Sequence, residues 1–156
     1  MRIGIISDTH GLLRPEAVER LAGVDHIIHA GDIGGPEVIE GLRRIAPVTA
    51  ISGNVDRGEW AGAYPATELV KLGDRFFYVL HNLKELDLDP VAAGIDVVVS
   101  GHSHQPKIET VDGVLYLNPG SAGPRRFTLP IALATLELDG DAMRPSLHDV
   151  SKRAAA

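Results

Sequence analysis

The first half of the chain alternates short apolar runs with segments patterned like helices. Arg2 to Ser7 is a β-branched apolar run, the pattern of a buried strand. Arg14 to Ala22 follows, with Pro15 suited to a first helical turn and Ala17, Val18, Leu21 and Ala22 spaced to share one face. Asp25 to Ala30 reads as a second buried strand. Pro36 to Arg44 reads as a second helix, with Val38, Ile39 and Leu42 inward and Arg43 and Arg44 at the C-terminal end favoured by the helix dipole. Pro47 to Ser52 is a third strand. Strands separated by helices predict βαβ units with parallel pairing.

Beyond residue 60 the pattern changes. Thr67 to Leu72 and Arg75 to Leu80 flank Gly73-Asp74 as a hairpin. A short helix is expected around Pro90 to Ala93, with Asp89 as its cap, and Ile95 to Ser100 is a strongly apolar strand. Lys107 to Val111 and Val114 to Asn118 flank Asp112-Gly113, while Ile131 to Leu138 and Ala142 to Val150 flank Asp139-Gly140-Asp141. Asp-Gly between apolar runs is a strong hairpin signal, so the last third reads as antiparallel. The predicted fold class is mixed α/β (α+β), two packed mixed β-sheets flanked by helices. One domain spans 1–150, and 151–156 form a short tail.

Composition narrows the function. A chain of 156 residues with 44% hydrophobic and 23% charged residues suits one domain with a real core. No apolar run approaches the roughly 20 residues of a membrane helix, and the chain turns polar by Asp8, too early for a secretory signal. The reading is a cytoplasmic protein with no membrane partner. The absence of cysteine removes disulfides, thiolate metal sites and a cysteine nucleophile. A net charge of −6, with basic residues no denser than pairs such as Arg125-Arg126, argues against a nucleic-acid partner. A homo-oligomer is left open.

The polar residues at the ends of the apolar runs carry the chemistry. Five runs lead into Asp8-Thr9-His10, Gly31-Asp32, Gly53-Asn54, His81 and Gly101-His102-Ser103-His104. Ligands in α/β folds bind at the carboxyl ends of strands. Glycines 31, 53 and 101 each precede a candidate ligand, where a sharp turn or a close approach is useful. Four imidazoles, two carboxylates and one amide suit Mn, Fe, Co, Ni or Zn, and exceed what one tetrahedral site uses. Two cations sharing a bridging carboxylate can clamp a phosphoryl group and activate water.

The set Asp8-x-His10, Gly31-Asp32, Gly53-Asn54, His81 and Gly101-His102-x-His104 resembles the calcineurin-like metallophosphoesterase superfamily, and within it the small YfcE-type phosphodiesterases. The resemblance runs from Met1 to about Arg126 and includes Asn118-Pro119-Gly120-Ser121 through Pro124-Arg125. It implies a β-sandwich flanked by helices and hydrolysis of a small phosphoester, most naturally a diester, by in-line attack of a metal-bridging hydroxide. It also implies a ligand assignment. One metal takes Asp8, His10, Asp32 and His104; the other takes Asp32, Asn54, His81 and His102, with Asp32 bridging. Mn2+ is the family-like metal, with Fe, Zn, Ni and Co as alternatives. Two positions depart from the family pattern. Val55 stands where a histidine often serves the leaving group, and Asn82 stands where glycine commonly follows the histidine.

Each residue alone has an ordinary reading as a turn or cap; the joint pattern favours the metal site. His26 and His148 read as surface or structural residues, and His29 as either a core histidine or a partner that orients a ligand. Asp56 reads as a turn cap or a water-positioning group. Arg125 is a candidate phosphate contact, set against a solvated basic pair with Arg126. The competing function is a non-catalytic metal-binding scaffold or protein-interaction module on the same fold, the use made of a retromer subunit in the superfamily. Val55 is the feature that sustains it.

Overall fold

The apolar runs that helices separate in sequence come together in one sheet. In the computed structural model, which describes residues 1–126 and 128–151, β1 (Arg2–Ile6), β2 (His26–His29) and β3 (Val48–Ala50) lie side by side and parallel. β9 (Ala132–Asp139) pairs antiparallel with the other side of β1, and β10 (Ala142–Asp149) forms the edge, giving the order β10-β9-β1-β2-β3. The second sheet has the order β4-β5-β6-β8-β7. It is built from β4 (Thr67–Leu72), β5 (Arg75–Leu80), β6 (Val97–Val99), β7 (Lys107–Val111) and β8 (Val114–Asn118).

Alternation along each strand divides the core into layers. Ile3 and Ile5 of β1, Phe77 and Val79 of β5, Val97 and Val99 of β6 and Leu115 and Leu117 of β8 fill the space between the sheets. Ile6 and Ile27 face the other way and pack with α1 (Pro15–Leu21) and α2 (Pro36–Arg43) through Ala17, Leu21, Val38, Ile39 and Leu42. The outer face of the second sheet is covered by the irregular segment 82–95, where Leu86 and Leu88 pack on Leu80, Val98 and Val114. No helix among the described residues is long and apolar enough to cross a membrane.

Three expectations change. Residues 90–94 form hydrogen-bonded turns, not a helix, although Asp89 does accept the Val91 amide as a cap would. Gly94 at φ 74° ends the segment after a single turn, too short to offset the cost of helix nucleation. Val18 and Ala22 are exposed: the packing face of the seven-residue α1 is Ala17 and Leu21, and each exposed residue lies about 100° further round. The last third is not wholly antiparallel. Asp112-Gly113 sets the antiparallel β7–β8 pair, but β8 meets β6 in parallel, a contact that no local turn specifies. Apart from Ser151, the tail lies outside the described residues.

This topology positions the site. Parallel pairing of β1, β2 and β3 in one sheet and of β5 and β6 in the other brings each group's carboxyl ends to one edge.

Candidate metal centre

The turns that leave β1 and β2 are joined by backbone bonds. Asp8 N–H donates to Gly31 O (3.0 Å), His10 N–H to Asp32 O (2.9 Å) and Gly11 N–H to Ile33 O (2.8 Å). Both turns, and the one after β6, use the left-handed region. Among the described residues, six non-glycine residues have positive φ: Asp8, His10, Asp32, His102, His104 and Asp112. Five of these six are candidate ligands, and residues held in this region at a cost of about 1–3 kcal/mol cluster at functional sites.

The side chains of the turns converge. Asp8 is fully buried; its Oδ2 accepts from Ser7 Oγ (2.7 Å) and from the His102 amide (3.1 Å), which leaves Oδ1 facing the site. Around Oδ1 stand His104 Nε2 at 3.4 Å, His81 Nε2 at 3.8 Å and His10 Nε2 at 3.9 Å. Asp32 Oδ2 lies 3.2 Å from His81 Nε2 and 3.7 Å from His10 Nε2. Metal–ligand bonds of about 2.0–2.2 Å place neighbouring donors about 3.0–3.4 Å apart at octahedral or tetrahedral angles. The observed spacings match that range or exceed it slightly. Asp8 Oδ1, His10 Nε2 and His81 Nε2, the atoms that face the site, are buried and have no hydrogen-bond partner among the described residues, an arrangement that costs stability unless something else satisfies them. The residues therefore fit a divalent cation. Asp8, His10 and His104 form one group able to hold an ion, and Asp8, Asp32 and His81 another.

The electrostatics describe an anionic pocket. His81 Nδ1 lies 2.8 Å from Ala30 O and so carries the proton it donates there, directing Nε2 at the two carboxylates. Burial lowers the His81 pKa, but the adjacent Asp32 carboxylate, the bond to Ala30 O and the charge of Asp8 outweigh it, and the net shift is upward. Burial acts on Asp32 in the opposite sense, and His81, the Val55 amide and His10 overcome it to hold the carboxyl at about 2. Asp32 is thus a fixed anion at the centre of the cluster.

Asn54 and His102 sit at the rim. His102 is exposed, with its ring set edge-on to His81 at 5.2 Å between centroids. Asn54 is exposed on the turn whose next residue, Val55, donates its amide to Asp32 Oδ1 (3.2 Å). The Val55 side chain is half exposed, so an apolar group stands at this edge of the site. Asn82 has φ −111° and accepts the Lys84 amide, a conformation that does not require the glycine usual in the family. Arg125 is exposed, two residues beyond Gly123, whose Cα approaches the Asp8 and Thr9 carbonyls. A cleft of about 920 Å³ is lined by Gly101 and His102 together with Lys84, Lys107 and Tyr116.

Several residues that hold the site were not singled out as such by sequence pattern. Asp56 is buried and accepts three amides, those of Ile33, Gly34 and Gly53, tying the Asp32 turn to the Asn54 turn. This is the capping role. Asn118 donates to Gly101 O and Ser103 Oγ, and Ser121 Oγ donates to Asp8 O (2.9 Å). The only signal for these two was their place in the Asn118–Ser121 stretch that resembles the family. Gly101 allows a close approach: a Cβ there would overlap Ser7 Oγ and lie 2.6 Å from Asp8 Oδ2. His26 and His148 lie away from the cluster, bonded to Thr49 and Thr135. His29 is fully buried, and desolvation, only partly offset by Asp8 and Asp56, lowers its pKa to about 4.

A family model described as the calcineurin-like phosphoesterase superfamily domain matches residues 1–141. A probable metallophosphoesterase of Methanothermobacter thermautotrophicus is 35% identical over 153 residues, spanning 90% of this chain and 88% of its own. A solved archaeal phosphodiesterase is 27% identical with a TM-score of 0.77, over 95% of this chain and 100% of its own. Vps29 of Entamoeba histolytica, solved with zinc, superposes with a TM-score of 0.73 over 97% of this chain and 100% of its own, and at 21% identity it shows the fold alone. The chain belongs to the calcineurin-like phosphoesterase superfamily.

Proposed function

We propose that this chain is a metal-dependent phosphodiesterase with a dinuclear centre. The observation that carries the reading is the convergence of buried, unpartnered donors on Asp8, His10 and His81 with His104 Nε2 and the anionic Asp32. Asp8, His10, Asp32 and His104 would hold one cation, and Asp32, Asn54, His81 and His102 the other, with Mn2+ the expected metal. Bound there, two divalent cations supply Lewis acidity toward the phosphoryl oxygens and lower the pKa of an attacking water.

The chain's own residues prepare this chemistry. Ser7 and the His102 amide fix Asp8 Oδ2, so the other oxygen serves the site. The Ala30 carbonyl holds the His81 proton on Nδ1 and keeps Nε2 directed at Asp32 and Asp8. The cleft beside His102 supports a diester over a monoester, because it gives a second ester arm a place to lie. Lys84 and Lys107 on its walls favour an arm with anionic character, although Glu109 already pairs with Lys107. Arg125 is the exposed cation expected to meet the phosphate from the side of the Asp8 turn. Val55 offers no proton to a leaving group, which favours esters whose leaving groups depart as stable anions.

The scaffold reading is not favoured, since the sequence keeps all seven candidate ligands. The test is release of p-nitrophenol from bis-p-nitrophenyl phosphate. The reading expects stimulation by Mn2+ and loss of activity in Asp8→Asn and His81→Ala. Tight metal binding without hydrolysis across a phosphomonoester and phosphodiester panel would favour the scaffold.

A further inference from the structure

One fully buried histidine remains outside the ligand set. His29 closes β2, and its ring is bonded at both nitrogens. The Gly31 amide donates to Nδ1 (3.1 Å), which places the ring proton on Nε2. Nε2 lies 3.0 Å from Thr9 Oγ1, and Thr9 Oγ1 donates onward to Ile33 O (2.8 Å). With Nε2–H as donor and the hydroxyl passing its own proton to Ile33, every member of this chain is satisfied in one direction.

The bonds end on both ligand-bearing turns. Thr9 stands between Asp8 and His10, while Gly31 and Ile33 bracket Asp32. Asp8, His10 and Asp32 all have positive φ, a conformation that persists only where the surroundings over-determine it. The backbone bonds between the turns run through residues 8, 10 and 11, and the alternate residue, Thr9, is tied by its side chain instead. Any buried histidine must satisfy both nitrogens; here the two bonds fall on the two ligand-bearing turns.

We propose that His29 and Thr9 form a positioning relay that holds Asp8, His10 and Asp32 ready for metal, so that metal affinity depends on two residues that touch no metal. The inference rests on the metal-centre reading above, and on the fit of those ligands to a divalent cation. Removing a partner that orients metal ligands typically costs 10–100-fold in affinity, and that is the range expected here.

The test is calorimetric titration of Mn2+ into the full chain, stripped of metal by chelation and shown to be folded by circular dichroism. Thr9→Val keeps the side chain's shape and removes the hydroxyl; it should weaken Mn2+ binding by 10–100-fold, whereas Thr9→Ser should stay within about threefold of wild type. His29→Phe should match Thr9→Val, and the double variant should bind no more weakly than the weaker single, because both changes cut one relay. A purely structural role would lower the melting temperature but leave the affinity of the folded protein unchanged. Wild-type affinity in folded Thr9→Val therefore overturns the relay, and it does so even where His29→Phe fails to fold. If the wild-type chain itself binds no Mn2+, the metal-centre reading fails and the relay fails with it. Asp8→Asn, expected to lose binding outright, marks the floor of the assay.

Discussion

The Asp112-Gly113 hairpin turn and the turn carrying His102 and His104 both place residues in the left-handed region, and they meet its cost differently. In the hairpin, Asp112 (φ 51°) is followed by Gly113 (φ 80°), and a Cβ on that glycine would point into open space. The strain is relieved locally, by residue choice. In the site, His102 (φ 69°) and His104 (φ 61°) are imidazoles, and the neighbouring Gly101 does not take positive φ at all. That glycine instead lets the backbone close on Ser7 and Asp8. The hairpin is therefore self-sufficient, whereas the site is held by long-range hydrogen bonds from Asp56, Asn118 and Ser121. Equivalent substitutions should be mild in the first region and severe in the second.

The largest contrast is between two alanines. Gly101→Ala forces Ser7 and Asp8 apart, so metal binding and phosphodiesterase activity should fall at least a hundredfold. Gly113→Ala should leave both unchanged and lower unfolding stability by about 1–2 kcal/mol. Metal content and turnover, read beside urea unfolding, check the pair, and equal losses from both would undo the comparison.

Acid should reach the site region through His29. The unfolded chain protonates this residue near its ordinary value of 6.5, and the folded protein only near 4. Its contribution is therefore fully present above pH 6.5, falls between 6.5 and 4, and does not change further below 4. The loss attributable to His29 is roughly 3 kcal/mol. It is read as the difference in urea unfolding between metal-free wild type and His29→Gln at pH 7.5 and pH 4. A pH dependence as steep in the variant as in wild type would assign the effect elsewhere.

Asp56→Asn should cost about 2–3 kcal/mol, because an amide has one acceptor oxygen where the carboxylate serves three amides. Asp112→Asn in the hairpin should change stability by less than about 0.5 kcal/mol, since asparagine tolerates the same φ. Chemical denaturation of both variants distinguishes them. At Val55 the expected effect is a gain and not a loss. Val55→His should raise turnover about tenfold on diesters with poor leaving groups and leave activated esters little changed. An unchanged rate in folded protein would show that protonation of the leaving group does not limit the reaction.

Legibility in the sequence follows the range of the interaction. The bounds of β4, β5, β7 and β8 could be read directly, because Gly73-Asp74 and Asp112-Gly113 set their pairing within a few residues. The parallel β6–β8 contact could not, because nothing between Val99 and Val114 fixes it. Asp8, His10, Asp32, His81 and His104 were legible as a set and do converge; His102 and Asn54 lie at the rim of the same cluster. What holds them was less visible. Ser121 resembles any residue of a Gly-rich turn until its hydroxyl is seen on Asp8 O, 113 positions away. Thr9 likewise reads as turn chemistry until His29 is beside it. The left-handed backbone of the ligands is hidden for a related reason: Asp and His enter this region more often than most residues, but signal it far less strongly than glycine.

Metal dependence is the property on which the site's chemistry rests. Chelator-stripped protein should be inactive on bis-p-nitrophenyl phosphate and regain activity as Mn2+ is added back, reaching its plateau at two ions per chain, while folded His81→Ala stays inactive throughout. Full hydrolysis by stripped, well-folded His81→Ala would contradict it.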